Sequence, residues 1–137
     1  MPHFSRATLV VSMPEHGVEY RHAPDLGGLR KPRPDSVNAG WRNLPFRGYA
    51  DHMQTDAFWS ALAWLETLAA ERRTAIMSAE AVPWRCHRSL IADALTVRGV
   101  EVRHIIGMSQ PALHVITPFA RVESGRITYP AADTLPM

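Results

Sequence analysis

The chain has little cysteine and no long apolar run: Cys86 is the only cysteine among its 137 residues. A single cysteine cannot form a disulfide framework within the chain, and it fits a reducing compartment such as the cytoplasm. No apolar run is long enough to cross a bilayer, and the N-terminus lacks the hydrophobic segment of a signal peptide. We therefore expect a cytoplasmic protein that makes no use of a membrane.

The net charge is also low. A charge of +2 is too small to indicate nucleic-acid binding by itself. Its distribution is uneven, because residues 21–47 are strongly basic. This segment sets two acidic residues, Asp25 and Asp35, against six basic ones: Arg21, Arg30, Lys31, Arg33, Arg42 and Arg47. The eleven prolines lie mostly before residue 50 and after residue 110, which predicts long ordered loops at both ends of the chain.

The length of the chain and its 46% hydrophobic content predict one domain, residues 1–137, with a substantial core. Apolar residues recur at helical spacing over 56–72, after Thr55 or Asp56 as the cap, and again over 86–98, before Gly99. Short apolar runs at 74–77 and 100–106 read as strands on either side of the second helix. These elements predict an α/β fold, with a small, mainly parallel sheet built on a β-α-β unit and flanked by the two helices.

Outside this unit the pattern is weaker. Residues 6–13 suggest a short helix stopped by Pro14, and residues 18–22 a short strand. Residues 23–53 show no clear periodicity and are predicted to form a long basic loop, of a kind that is often functional. The segment 121–129 predicts a C-terminal hairpin that turns at Ser124-Gly125.

The densest chemistry lies in Cys86-His87-Arg88-Ser89, which is predicted to open the second helix. Unpaired N–H groups and the helix dipole at such a position favour an anion or a thiolate. Cys86 is then a candidate nucleophile, His87 or Glu80 its acid or base, and Arg88 with Ser89 an anion-binding pair. The competing interpretations are a buried structural cysteine and a structural Glu80–Arg88 ion pair.

Two further segments could bind a ligand. Gly27-Gly28 followed by Arg30 could place backbone N–H groups and a cation around an anion, although Gly-Gly is more often a simple turn. The stretch 41–52 interleaves aromatic residues with Arg42 and Arg47, which suits stacking on a base, while packing of these rings inside the protein is the alternative. The single cysteine has no partner cysteine for a zinc site, so no metal site is expected, and the sequence names no cofactor.

At these residues the chain resembles a known family, the domain of unknown function 488 family (DUF 488). The resemblance is carried, in chain order, by Tyr20, Leu26–Arg30, Phe46–Asp51, Met77–Glu80, Cys86–Ser89, His104-Ile105 and His114–Thr117. It implies an α/β fold with its site around the Cys-His-Arg motif. It implies no activity, because the role of the family is not established.

The chain departs from the family pattern in two ways. Members usually carry a cysteine at the position of Ser78, and its absence argues against a two-cysteine redox pair or a dithiolate metal site. Members also usually begin with a further strand, so we expect an N-terminally short member, in which an exposed sheet edge could support a homodimer.

We therefore predict a site for a small anionic or nucleotide-type ligand, and the sequence does not decide whether the site is catalytic. Its predicted catalytic residues are Cys86, Glu80 and His87. Its predicted ligand-binding residues are Arg88, Ser89, Arg30, Arg47, Gly27, Gly28, Tyr49 and His114. The alternative is a non-catalytic nucleic-acid-binding module that uses the basic aromatic loop 41–52.

Overall fold

The computed structural model describes residues 6–28, 30–78 and 86–131, which form a mixed α/β structure. The helices are α1 (Arg6–Glu15), α2 (Leu44–His52), α3 (Asp56–Glu71) and α4 (Arg88–Val97), with a short 3₁₀ helix at Pro24–Leu26. The strands are β1 (Arg103–His104), β2 (Ala112–Leu113), β3 (Arg121–Glu123) and β4 (Arg126–Thr128). No described helix is long and apolar enough to cross a membrane.

Helices α3 and α4 confirm the sequence prediction to within two residues at each end. The Thr55 side chain caps α3 by accepting the N–H of Phe58 at 3.3 Å, which satisfies one of the first-turn donors. At the end of α4, Gly99 adopts a φ of +85°. The N–H groups of Gly99 and Val100 bond back to Thr96 and Leu95, as in a Schellman motif.

Helix α2 corrects the prediction of one long loop over residues 23–53. Asn43 accepts the N–H of Phe46 at 3.1 Å as the helix cap, and Pro45 occupies the first turn, where its missing N–H costs nothing. Gly48 lies on this helix where the chain passes very close, because a Cβ atom there would lie 2.0 Å from the carbonyl oxygen of Arg30. Glycine thus lets the basic segment pack directly on α2.

The predicted parallel sheet is wrong, because both observed sheets are two-stranded and antiparallel. Strand β1 pairs with β2, which follows it in the chain, and the predicted strand at 100–106 shrinks to two residues. Residues 74–77 form no strand in the part of the chain that the structure describes. Their side chains are exposed or half-buried, whereas the strands of a parallel sheet are buried on both faces.

The predicted C-terminal hairpin is confirmed. Strands β3 and β4 pair antiparallel with Val122 opposite Ile127, and Ser124 and Gly125 form the turn with φ values of 52° and 76°. Positive φ at both turn residues matches the right-handed twist of the strands. Helix α1 runs two residues beyond its predicted end and contains Pro14, and residues 18–22 form no strand.

The core lies between α2, α3, α4 and the inner side of the hairpin. Asp51 on α2 orders the loop before it by accepting bonds from the N–H of Arg33 at 2.8 Å, the Ser36 hydroxyl at 2.6 Å and the Asn38 amide at 2.8 Å. The buried apolar cluster consists of Leu26, Tyr49, Ala50, Met53, Phe58, Leu62, Leu65, Leu90, Ile91, Ala94, Leu95, Ile127 and Tyr129. This packing fixes the start of α4 against α2.

Candidate functional site

The sulfur of Cys86 lies just before α4, where three polar groups surround it. The hydroxyl oxygen of Ser78 is 3.0 Å from Sγ, and the backbone N–H of Arg88 donates to Sγ at 3.4 Å. The Nδ1 atom of His87 lies 3.6 Å away. Cys86 is 5% exposed, so its sulfur is largely withdrawn from water and takes the place of a capping oxygen at the helix start.

These contacts make Cys86 an ionisable thiol at neutral pH. Burial acts to raise the pKa of Cys86, but the hydrogen bonds from His87, Ser78 and Arg88 outweigh it and lower that pKa to about 6. A thiol with this pKa is mostly thiolate at pH 7, and the thiolate is the nucleophilic form of cysteine.

The ring of His87 lies between Gly28 and Tyr49. It packs against the ring of Tyr49 with the centroids 4.9 Å apart. A Cβ atom at Gly28 would lie 3.0 Å from Nδ1 of His87, so glycine at this position gives the imidazole its space. Gly28, Tyr49 and His87 thus lie close together beside Cys86.

Tyr49, which packs against His87, contributes a neutral hydroxyl to the site. Its hydroxyl donates to the carbonyl of Leu26 at 2.8 Å. Burial raises the pKa of Tyr49 well above its usual value, the charge of Arg30 opposes this rise, and Cys86 adds to it. Tyr49 therefore keeps its proton and donates it to the Leu26 carbonyl, just before the Gly27-Gly28 turn.

Arg30 anchors the turn and lies at the edge of the site. Its side chain donates to the carbonyl oxygens of Gly27 at 3.3 Å and Pro24 at 3.1 Å. It also lines a shallow pocket together with Lys31, Arg33 and His52. The guanidinium is thus partly engaged in holding the turn, and its charge acts on Tyr49 rather than directly on the sulfur.

Arg88 and Ser89 occupy the first turn of α4. The Ser89 hydroxyl donates to the carbonyl oxygen of Cys86 at 3.0 Å, so it closes the turn that carries the thiol. The side chain of Arg88 is half-buried and also helps to lower the pKa of Cys86. Its charge reaches His104 as well, whose pKa it helps to depress. Arg88 therefore acts on both Cys86 and His104.

Two predicted residues, Arg47 and His114, lie apart from Cys86 and make other contacts. Arg47 donates to the carbonyl of Trp41 at 2.9 Å and to that of Ala39 at 3.4 Å, so it holds the loop before α2. His114 bonds to Asp93 and His104 instead of the thiol. Glu80 lies outside the described residues.

Two features of the region were missed by sequence reasoning. The sequence predicted no role for the hydroxyl of Ser78, yet this hydroxyl contacts the sulfur of Cys86. Asp93, which is 0% exposed, joins a second polar cluster with His104, His114, Thr117 and Tyr129. The signal for Asp93 was present, because it lies among the apolar residues Leu90, Ile91, Ala94 and Leu95 of an amphipathic helix.

The two clusters hold no metal-type ligand set. Among residues 6–28, 30–78 and 86–131, no group of three His, Cys, Asp or Glu residues is arranged to hold a metal ion. In the Asp93 cluster the ring nitrogens of His114 point at Asp93 and His104, so hydrogen bonds use the atoms that a metal would need.

Fold and site together define a mixed α/β protein with a buried, readily ionised thiol at the start of a helix. The family described as Domain of unknown function DUF488 matches residues 1–95, which is more than half of the chain, and the chain belongs to this family. The match includes Ser78, Cys86 and Asp93 and ends before His104 and His114. No curated protein and no solved structure matches the chain.

Proposed function

We propose that the protein binds a small anionic or nucleotide-type ligand at the start of α4 and that the Cys86 thiolate is the group that reacts with it. The observation that carries the proposal is the surroundings of the sulfur. Ser78, His87 and the N–H of Arg88 all lie within hydrogen-bonding reach of Sγ. A purely structural buried cysteine needs no such set of donors, because it packs as a small apolar residue.

Electrostatics decides what kind of ligand suits this site. The thiolate already accepts the N–H of Arg88 at the start of α4, so a second anion there would be repelled unless further cations face it. The guanidinium of Arg88 supplies such a charge, and Arg30 supplies another at the edge near Tyr49. The ligand is therefore one whose anionic group pairs with these arginines while an electrophilic atom faces the sulfur.

Inorganic phosphate, used as a probe with iodoacetamide, tests this proposal. We expect Cys86 to be alkylated at pH 7 faster than free cysteine, and phosphate to slow the reaction by competing for the space beside Arg88. Substitution Arg88→Gln should abolish the protection, whereas Arg73→Gln, at an exposed arginine, should retain it. A Cys86 that reacts no faster than free cysteine, or that phosphate does not protect, would overturn the proposal.

The structure gives no support to a nucleic-acid surface on residues 41–52. The ring of Trp41 packs against Phe46, Phe119 and Tyr129 at centroid distances of 5.0, 4.8 and 5.5 Å. Tyr49 is 1% exposed, and Arg47 is bonded to backbone carbonyls. Rings used in packing cannot stack on bases, so we propose no second function.

A further inference from the structure

Asp93 is a buried carboxylate, and each of its two oxygens accepts two hydrogen bonds. Oδ1 accepts the N–H of Thr117 at 3.1 Å and Nε2 of His114 at 2.7 Å. Oδ2 accepts the hydroxyls of Thr117 and Tyr129, each at 2.7 Å. Burial, together with Asp93, raises the pKa of Tyr129, so this phenol stays protonated and donates. All four partners donate, which is the arrangement that a buried negative charge requires.

This arrangement fixes the protons on the two histidines that follow. Because Nε2 of His114 donates to Asp93, the neutral His114 ring has its lone pair on Nδ1. That Nδ1 lies 2.7 Å from Nε2 of His104, which must then carry the hydrogen of this bond. The remaining nitrogen of His104, Nδ1, therefore has a free lone pair and is a base.

His104 lies at the half-exposed end of this chain of bonds, on β1. The titratable and charged groups that act on its ring are His114, which follows β2, and Arg88 and Asp93, both on α4. Burial lowers the pKa of His104, the positive charge of Arg88 lowers it further, as would a protonated His114, and Asp93 opposes them. His104 is thus a neutral acceptor at pH 7, on the side of the cluster that Arg88 influences.

We propose that Asp93, His114 and His104 form a proton-accepting relay whose outer nitrogen, Nδ1 of His104, serves the ligand site at Cys86 and Arg88. His104 is its acid–base group, and Asp93 and His114 are positioning residues. This inference rests on the proposed function in naming the site that the relay serves.

The relay moves one proton inward without changing any other bond. A proton taken up at Nδ1 of His104 makes its ring cationic. The hydrogen on Nε2 then passes to Nδ1 of His114 across the 2.7 Å bond, and His104 becomes neutral again. The charge ends on His114 as an imidazolium beside the carboxylate of Asp93, where an ion pair stabilises it. Return of the proton reverses these steps.

Imidazole nitrogen NMR on the full chain, with ¹⁵N-labelled histidine, tests the relay directly. At pH 7 we expect His104 to carry its hydrogen on Nε2 and to have a bare Nδ1. Asp93→Asn should lower the pKa of His104 further, because it removes the negative charge that, among the described residues, acts on the ring. Thr117→Val, which removes a bond to Asp93 but keeps the carboxylate, should leave the tautomer unchanged. If Asp93→Asn does not fold, His114→Gln is a second test. It removes the imidazole nitrogen that holds the hydrogen on Nε2 of His104, so His104 should no longer be fixed in that one tautomer.

Phosphate binding tests whether the relay serves the ligand site at Cys86 and Arg88. An anion bound beside Arg88 offsets its charge, so phosphate should raise the pKa of His104. A His104 with its hydrogen on Nδ1 at pH 7 overturns the relay. Phosphate that protects Cys86 without moving the pKa of His104 overturns the inference and leaves the proposed function standing. Phosphate that does not protect Cys86 overturns the proposed function, and the inference falls with it.

Discussion

The hydroxyl oxygen of Ser78 lies 3.0 Å from the sulfur of Cys86. This is the position at which the family resemblance led us to expect a second cysteine. The side chain there faces the thiol, and in this chain it is a hydroxyl that donates to the thiolate and helps to lower its pKa. The Ser78–Cys86 pair therefore stabilises a charge where two cysteines would form a bond.

Substitution Ser78→Cys should create a disulfide with Cys86 under mild oxidation. An S–S bond of about 2.05 Å needs only a small side-chain movement from a 3.0 Å contact. Mass spectrometry after alkylation without reductant should show two protected thiols. Ser60→Cys, at an exposed position on α3, is the control and should leave both thiols open to alkylation. Two free thiols in the Ser78→Cys protein would contradict the geometry.

Substitution Ser78→Ala should raise the pKa of Cys86, because the thiolate loses one of its donors. The rate of alkylation by iodoacetamide, followed across pH, should then reach half its maximum at a higher pH than in the parent protein. Ser60→Ala should give the parental profile. A midpoint that Ser78→Ala does not move would mean that the hydroxyl contributes nothing to the charge.

Substitution Asp51→Asn should destabilise the protein by about 1–3 kcal/mol, the cost of leaving a buried donor unsatisfied. An amide offers one acceptor oxygen, so it cannot serve the N–H of Arg33, the hydroxyl of Ser36 and the amide of Asn38 together. Urea unfolding measures the change. Asp35→Asn removes only an exposed ion pair with Arg33 and should cost less than about 1 kcal/mol. Equal effects of the two substitutions would count against the network.

Stability should depend on pH through Cys86. Its pKa is about 6 in the folded protein against an ordinary value of 9.0, so the unfolded chain binds more protons between these two pH values. Stability from this group therefore rises as pH increases from 6 to 9 and is lost as pH falls through 6. Urea unfolding of the parent and of Cys86→Ser should show a difference that widens over this range. A difference that stays constant with pH would show that the thiol does not ionise in the folded state.

The sequence predicted best the helices that are determined by residues close together in the chain. Helices α3 and α4 follow from apolar spacing, the Thr55 cap and Gly99, all of which act within a few residues. Helix α2 was missed although Asn43 and Pro45 mark its start, because its arginine, glycine and aromatic residues hide the apolar face. The parallel sheet was wrong because β1 pairs antiparallel with β2, which follows it in the chain, and not with residues 74–77, which form no strand.

The region of the site likewise has a part that could be predicted from neighbouring residues and a part that could not. The Cys86-His87-Arg88 motif could be predicted because consecutive residues meet at one helix start, and Gly28 and Tyr49 were placed beside it through the family resemblance. The cluster around Asp93 could not be predicted, since it draws its partners from residues 104, 114, 117 and 129. Only a charged residue within an apolar helix face pointed to it, and that signal names no partner.

The ionisation of Cys86 tests the account most directly. We would measure the rate of its alkylation by iodoacetamide from pH 4 to pH 10, in the full chain, and read the pH at half the maximal rate. The account predicts a midpoint near pH 6, set by the donors Ser78, His87 and Arg88. A midpoint near 9.0, the ordinary value for a cysteine, would contradict it.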